Sequence, residues 1–353
     1  MTAEIKVGVI GCGFVSDGHI SCLNRIPGVE VVGIADTDAD AANRVADKFD
    51  VPQTFADADS LLAATSPDVV HILTPPQSHK SLTIEAMRRG CDVLLENPMA
   101  PSATDSQAIL DGAKEFDKKL AICHNFLFLP CVVAARQMLV QGDLGELVGV
   151  DISWRPPNRG FHVGWTQELP GGALHEILPH AVYLQRAFVG ELVNVAGITR
   201  RGGDARSPTC EIRVLLDAES GTSHIEVSPS GEPKQFLMRI EGTRMSLRVD
   251  LSTNTVLKIR KLGNGKLSKA LMNIDQAGQL LVGTVASAIS VLRTDLSNGH
   301  YPLIEAFYRS LRDGGDLPVT GKDGHETVAA LDQIWATPAA GQTDASLWKI
   351  AAG

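Results

Sequence analysis

The sequence predicts an α/β chain in two parts: a parallel sheet covered by helices on both faces, then an α+β region with a large, mostly antiparallel sheet. Three observations carry this. Short apolar runs alternate with helically spaced segments up to about residue 125, and a glycine turn, Gly11-Cys12-Gly13, joins the first run to the first helix. Beyond about Leu129 the rhythm changes to consecutive strand-like runs separated by turn signals. A length of 353 residues exceeds what one core usually holds, so two domains are expected, at 1–125 and 126–353.

The strands expected in the first part are Val7–Ile10, Val31–Ala35, Val69–Leu73, Val93–Leu95 and Leu120–Cys123. Their nearly unbroken Val/Ile/Leu content suits strands buried on both faces. Helical spacing fills the gaps at His19–Arg25, Ala39–Phe49, Ser78–Arg89 and Ala103–Phe116. The second part opens with a helix near Pro130–Leu139, a strand at Leu147–Trp154, a polar and aromatic loop, and a helix near Gly172–Phe188. Strands then follow at Val193–Arg200, Glu211–Leu216, Thr222–Val227, Phe236–Glu241, Ser246–Val249 and Val256–Ile259, broken by Gly202-Gly203 and Ser228-Pro229-Ser230-Gly231. The uncharged stretch 276–292 carries Leu281, Val285, Ala288, Ile289 and Leu292 at helical spacing. It is too short and too rich in Gly, Ser, Thr and Gln to span a membrane, and reads as a core or oligomer-interface helix, with a membrane-surface helix as the alternative.

An apolar content of 44%, with 21% charged residues, suits a soluble globular enzyme. A net charge of -9 and the lack of a basic arm argue against a nucleic-acid partner. The start of the chain lacks the basic and long apolar regions of a secretion signal, and six scattered cysteines form no Cys-x-x-Cys pair. Buried free thiols and a cytoplasmic location are therefore expected.

Chemistry begins at the turn. In Val7–Ser16 a strand runs into Gly11-Cys12-Gly13-Phe14-Val15-Ser16. Gly11 allows the tight turn, Gly13 lets the backbone approach a pyrophosphate, and a small third residue, here Ser16, lets the helix pack on the strand. The helix N-terminus then offers N–H groups to the phosphates. A second strand ends in Asp36, 23 residues after Gly13, placed to accept hydrogen bonds from the adenosine ribose. Thr37 and Asp38 follow with no neighbouring arginine, so NAD is preferred over NADP. This is a Rossmann dinucleotide-binding pattern.

At this point the chain resembles the glucose–fructose oxidoreductase / inositol dehydrogenase (Gfo/Idh/MocA) family. The matching pieces, in order, are Gly11-Cys12-Gly13, Ala35-Asp36, Thr74-Pro75-Pro76 with His79, Glu96-Asn97-Pro98, Gly145-Glu146-Leu147, Gly171-Gly172-Ala173 leading to Glu176 and His180, and Pro318–Gly324 before a last helix. The resemblance implies an NAD(P)-dependent enzyme acting on a secondary alcohol of a sugar, cyclitol or nucleotide-sugar, and a homo-oligomer formed through the second domain. It also implies that Phe14, Val15, Thr74, Pro75, Pro76, His79 and Glu96 lie along the cofactor with Gly11, Cys12, Gly13 and Asp36. A structural helix start accounts equally well for His79.

The sequence departs from that family where it usually has Glu-Lys-Pro. Asn97 replaces the lysine, and an amide hydrogen-bonds but is no general base at neutral pH. His180 is then the best-placed proton carrier, with Glu176 four residues earlier on the same helix face to orient it. His175-Glu176-Ile177-Leu178-Pro179-His180 resembles a zinc motif, but histidines five apart do not share a helix face, and no metal is expected. His175 itself reads equally as a substrate contact or as core. Asn125 ends the last strand of the first sheet, where ligands collect. The loop from Trp154 through Arg155, Arg159 and His162 to Trp165 holds two tryptophans, two arginines and a histidine, suited to stacking a ring and gripping an anion.

Three functions stay open on these grounds. The first is an NAD-dependent dehydrogenase or reductase of a polyhydroxylated small molecule, with His180 handling the proton and Asn97 bonding the substrate oxygen. The second is an imine or enone reductase, or a redox-neutral NAD-dependent elimination. The third is a non-catalytic NAD- or sugar-binding sensor.

Overall fold

The computed structural model describes residues 4–157, 164–201, 211–263, 265, 267–293 and 299–338. Arg159 and His162 lie outside them. The chain divides into two compact units. The first takes the described residues of 1–133 and 288–329, the second those of 134–287 and 330–353.

The first unit contains strands β1 (Ile5–Ile10), β2 (Val29–Ala35), β3 (Thr54–Phe55), β4 (Val69–Ile72), β5 (Asp92–Leu95) and β6 (Leu120–Ile122). They pair in parallel in the order β3-β2-β1-β4-β5-β6. The order reverses between β1 and β4, which opens a crevice at the carboxyl ends of the strands. Helices α1 (Ser16–Leu23), α2 (Ala39–Phe49), α3 (Ala58–Thr65), α4 (His79–Arg88) and α5 (Ala103–Glu115) connect them, and α6 (Pro130–Val140) follows. Asp38, Asp57 and Ser102 cap α2, α3 and α5 by accepting hydrogen bonds from backbone N–H groups of the first turn. Strand β3 and helix α3 have no counterpart in the sequence reading. A two-residue strand and an eight-residue helix are too short to show a period.

In the second unit, β7 (Leu147–Arg155) is followed by α7 (Ala173–Val189), which runs unbroken through Pro179. Strands β8 (Leu192–Arg201), β9 (Glu211–Ala218), β10 (Gly221–Val227), β11 (Gln235–Gly242), β12 (Met245–Asp250) and β13 (Thr255–Arg260) complete a seven-stranded sheet, ordered β13-β12-β11-β7-β10-β9-β8. It is antiparallel except between β7 and β10. Alternating burial along β9 (Ile212, Val214 and Leu216 inward) marks one covered and one open face.

Three helices close the chain: α8 (Ser268–Arg293), α9 (His300–Asp313) and α10 (Gly321–Ala336). The sequence division at 125/126 differs from the compact units because α9 returns to the first core. Leu303, Ile304, Phe307 and Tyr308, on one helical face, are all fully buried there. Helix α8 is not a core helix. Leu271, Ile274, Leu281 and Val285 are each more than half exposed, while Gln279 and Ser287 bond Lys258 and Thr253 of the second unit.

Candidate active site

The glycine turn has the shape its sequence requires. Gly11 has φ +100°, and a Cβ there would strike the backbone of Leu73 at 2.8 Å. A Cβ on Gly13 would meet nothing within 4 Å, so open space lies where a pyrophosphate approaches. No side chain caps the N-terminus of α1. Ser16, fully buried, folds its hydroxyl back onto the Gly13 carbonyl at 2.7 Å. Phe14 is 100% exposed, an unusual surroundings for a phenyl ring unless a ligand covers it. Asp36 accepts the Cys12 N–H at 2.6 Å on one oxygen and the Asp38 N–H at 2.8 Å on the other. Each oxygen keeps a second lone pair for a ribose hydroxyl. Burial, and then Asp36, push the Cys12 thiol up to about 12. Arg44 on α2, which the sequence reading passed over, pulls that thiol the other way. These features fit a dinucleotide.

Thr74-Pro75-Pro76 leads into α4, whose buried His79 pins the turn. Its ring nitrogens face the carbonyls of Thr74 at 2.7 Å and Pro98 at 3.0 Å, tying this turn to the Glu96-Asn97-Pro98 segment. Burial lowers its pKa despite those carbonyls.

Glu96, just past β5, is the centre of a polar cluster that sequence reasoning missed. The His19 Nε2 lies 2.7 Å and the His300 Nε2 3.8 Å from Glu96 Oε1, and the Cys123 thiol hydrogen-bonds the same carboxylate. Burial pushes the Glu96 carboxyl up, but the His19 hydrogen bond and charge, then His300 and Cys123, hold it down to about 2. Behind His19, its Nδ1 meets the Nδ1 of His71 at 3.0 Å, and His71 Nε2 meets the Tyr308 hydroxyl at 2.9 Å. These residues come from α1, β4, the ends of β5 and β6, and α9, so no local spacing could announce them. Gly299 makes the arrangement possible. It caps α9 at φ +75°, and a Cβ would collide with the carbonyl of buried Asn125. Beside Glu96, the amide Nδ2 and Oδ1 of Asn97 are buried and find no hydrogen-bond partner among the described residues.

In the second unit, β7 and α7 bring Trp154, His180 and Tyr183 together. Trp154 stacks on its cross-strand partner Phe236 at 4.3 Å and turns its edge to His180 at 5.7 Å. His180 Nδ1 pairs with the Tyr183 hydroxyl at 2.8 Å, so the group that orients His180 is Tyr183, three residues on, rather than Glu176. Glu176 stands apart from it: burial alone lifts its carboxyl to about 7. His175 is fully buried and stacked on Trp335 at 6.0 Å, its two nitrogens without hydrogen-bond partners among the described residues. Burial takes its pKa down to about 4. Arg155 donates to the Glu232 carbonyl at 3.2 Å, and half-buried Trp165 lies in the short helix Gly164–Glu168.

Comparison with known proteins places the fold in a family. Residues 5–124 match the family described as the oxidoreductase family with an NAD-binding Rossmann fold, and residues 132–248 match the GFO/IDH/MocA C-terminal domain. A D-apiose dehydrogenase from Paraburkholderia graminis is 24% identical across 96% of this chain and 89% of its own length. A D-xylose 1-dehydrogenase (NADP(+)) from Haloferax volcanii is 24% identical across 92% and 95%. The WlbA dehydrogenase of Chromobactrium violaceum, solved with NADH and UDP-GlcNAcA, shares the fold with a TM-score of 0.78 at 18% identity, over 95% of this chain and 94% of that one. With both domain signatures present in order on an NAD-binding turn of this geometry, the chain belongs to the GFO/IDH/MocA family of NAD(P)-dependent oxidoreductases.

Proposed function

We propose that this protein is an NAD-dependent dehydrogenase that interconverts a secondary alcohol and a ketone on a sugar, cyclitol or nucleotide-sugar-like substrate. The observation that carries the reading is the Asp36 carboxylate, fixed by two backbone N–H groups beside an open Gly13. A 2′-phosphate would meet that charge and those of Asp38 and Asp40, which favours NAD. The charge of Arg44, felt at Cys12, works against this preference.

The nicotinamide, when bound, supplies the hydride acceptor or donor. The protein's own groups manage the oxygen and the proton. Asn97 offers a substrate oxygen an amide whose hydrogen-bonding capacity is unused. His180 Nε2 carries the hydroxyl proton, and the Tyr183 bond sets its state. When Nδ1–H donates to Tyr183, Nε2 presents a lone pair and acts as base; when Tyr183 donates to Nδ1, Nε2–H acts as acid. Trp154 gives that imidazole a rigid aromatic wall.

A redox-neutral elimination is the second reading. Asn97 removes the ammonium of the usual site, while Glu176, with its carboxyl lifted to about 7, can donate a proton at neutral pH. The exposed face of α8 supports a homo-oligomer. Five buried free cysteines among the described residues support a reducing, cytoplasmic setting, and no described helix is long and apolar enough to cross a membrane.

Calorimetric titration with NAD and NADP, followed by an NADH assay over aldoses, inositols and nucleotide-sugars, tests the proposal. NAD should bind at least tenfold tighter, and NADH should accumulate with one substrate class. Product that loses water without net NADH would move the assignment to elimination. Failure to bind either dinucleotide would end both readings.

A further inference from the structure

We propose that His19, Glu96, Cys123 and His300 form a buried binding site for one thiophilic divalent cation, of which Zn²⁺ is the best match. One ligand atom from each side chain falls within 4.8 Å of all the others. In a tetrahedral zinc site with bonds of about 2.0–2.3 Å, ligand atoms stand roughly 3.3–3.6 Å apart, so the four need to adjust by about an ångström. His19 Nε2 and Glu96 Oε1 would part slightly from 2.7 Å, and the 3.8 Å between His300 and Glu96 already suits.

Ligand chemistry and charge agree with that cation. Two imidazoles, a thiolate and a carboxylate form a mixed nitrogen, sulfur and oxygen set of the kind zinc accepts. Thiolate and carboxylate together carry two negative charges, which one divalent ion cancels, so the filled site is neutral where charge is costly to bury. Without metal, the cavity is held by protons. The Cys123 thiol and His19 Nε2–H both point at the Glu96 carboxylate. On binding, the Cys123 S–H bond breaks and its proton goes to solvent, a sulfur–metal bond forms, and nothing is oxidised or reduced.

The strongest support comes from behind the ligands. A metal-bound histidine usually fixes its ring by donating its other N–H to a second group. Here His19 Nδ1 meets His71 Nδ1 at 3.0 Å, and His71 Nε2 meets the Tyr308 hydroxyl at 2.9 Å. Metal-free, Tyr308 donates to His71, His71 to His19, and His19 to Glu96. When Nε2 of His19 takes the metal, the chain reverses: His19 Nδ1–H donates to His71, and His71 Nε2–H to Tyr308. No proton leaves this chain in the reversal. The site would fasten α1, β5, β6 and α9 together across 281 positions of sequence, from 19 to 300. That span explains why no motif shows it.

The test is a Co²⁺ titration of the full-length, chelator-treated protein. One equivalent should produce the near-ultraviolet thiolate-to-cobalt band, and Zn²⁺ should bleach it. Cys123→Ser should abolish the band, whereas Cys131→Ser should keep it. His71→Asn should weaken binding about 10–100-fold without changing stoichiometry. If Cys123→Ser does not fold, His300→Gln, at a partly exposed ligand, should weaken Co²⁺ at least tenfold. A wild type that gives no band, a band that survives Cys123→Ser, or full affinity in His300→Gln each overturns the site.

Discussion

Two largely buried carboxylates, one in each unit, have opposite surroundings. Glu96 has a hydrogen bond from His19, one from the Cys123 thiol, and His300 within 3.8 Å, and these outweigh burial to hold it down to about 2. Glu176 has burial alone and rises to about 7. The contrast extends to their neighbours. Around Glu96 a chain of hydrogen bonds runs back to Tyr308. Along α7, His175 and Gln185 have polar atoms that are buried and without partners among the described residues. An unsatisfied buried polar group costs about 1–3 kcal/mol, so α7, like the Asn97 amide of the first unit, carries polar atoms whose burial no hydrogen bond offsets. A polar region already satisfied holds its geometry, while an unsatisfied one is where a ligand gains most by arriving.

The sharpest break of this comparison is His180→Ala. Losing a general acid–base costs about 10²–10⁴ in rate. We expect kcat to fall by that factor with NAD affinity changed far less, because a general acid–base acts on the proton in the transition state rather than on cofactor binding. Tyr183→Phe should cost less but shift the pH profile of kcat, since it frees Nδ1 from the bond that sets the imidazole's state. Steady-state kinetics beside calorimetry checks both. A His180→Ala enzyme within tenfold of wild type would remove His180 from the chemistry.

The second break is in pH. His175, lowered from 6.5 to about 4, binds its proton in the unfolded chain but not in the fold between those values, so its contribution to stability rises with pH there. Glu176, raised from 4.5 to about 7, keeps its proton in the fold but loses it on unfolding, so its contribution falls with pH there. Between pH 4.5 and 6.5 the two slopes oppose and cancel. Glu176→Gln should unmask a rise of about 1.4 kcal/mol per pH unit, and His175→Gln a fall of the same size. Denaturant unfolding at pH 4.5, 5.5 and 6.5 reads this directly. Parallel profiles for wild type and both variants would show that these groups are hydrated rather than buried.

How much of this was legible in the sequence follows from the range of each interaction. The strands and the Gly11–Asp36 turn were readable because period, turn residue and end-of-strand acid all lie within 30 residues. The mixed second sheet was readable in its strands but not in its order, since at the Ser153–Trp154 end β7 pairs with β10 across 73 positions and with β11 across 82 to 84. Tyr183 was missed because a tyrosine on an apolar helix reads as core; only the three-residue spacing from His180 signals it. His19, His71 and His300 were invisible, because α9 reaches the first core from 280 residues downstream. The expectation of Glu176 as partner of His180 used correct helix geometry but ignored a competing hydroxyl on the same face.

Asp36→Ser sharpens the comparison on the satisfied side. It removes the acceptor of two backbone N–H groups as well as the ribose contact. A hydrogen bond to a charged group is worth about 1.5–3 kcal/mol, so NAD should bind roughly 10–100-fold weaker and the melting temperature of the first unit should drop. NADP should improve in the same variant, with Arg44 the cation available to its phosphate. Loss of both dinucleotides together would mean that Asp36 shapes the turn rather than choosing between cofactors.

Phe14→Ala gives the smallest effect and the cleanest separation of binding from folding. The ring is fully exposed, so its removal should leave stability within about 0.5 kcal/mol of wild type. If a bound dinucleotide covers the ring, burying that apolar surface contributes on the order of 1 kcal/mol, and NAD affinity should weaken about fivefold. Calorimetry and thermal melts on one preparation measure both. A variant that loses stability but not affinity would make Phe14 part of the turn's own packing, against the exposure it shows.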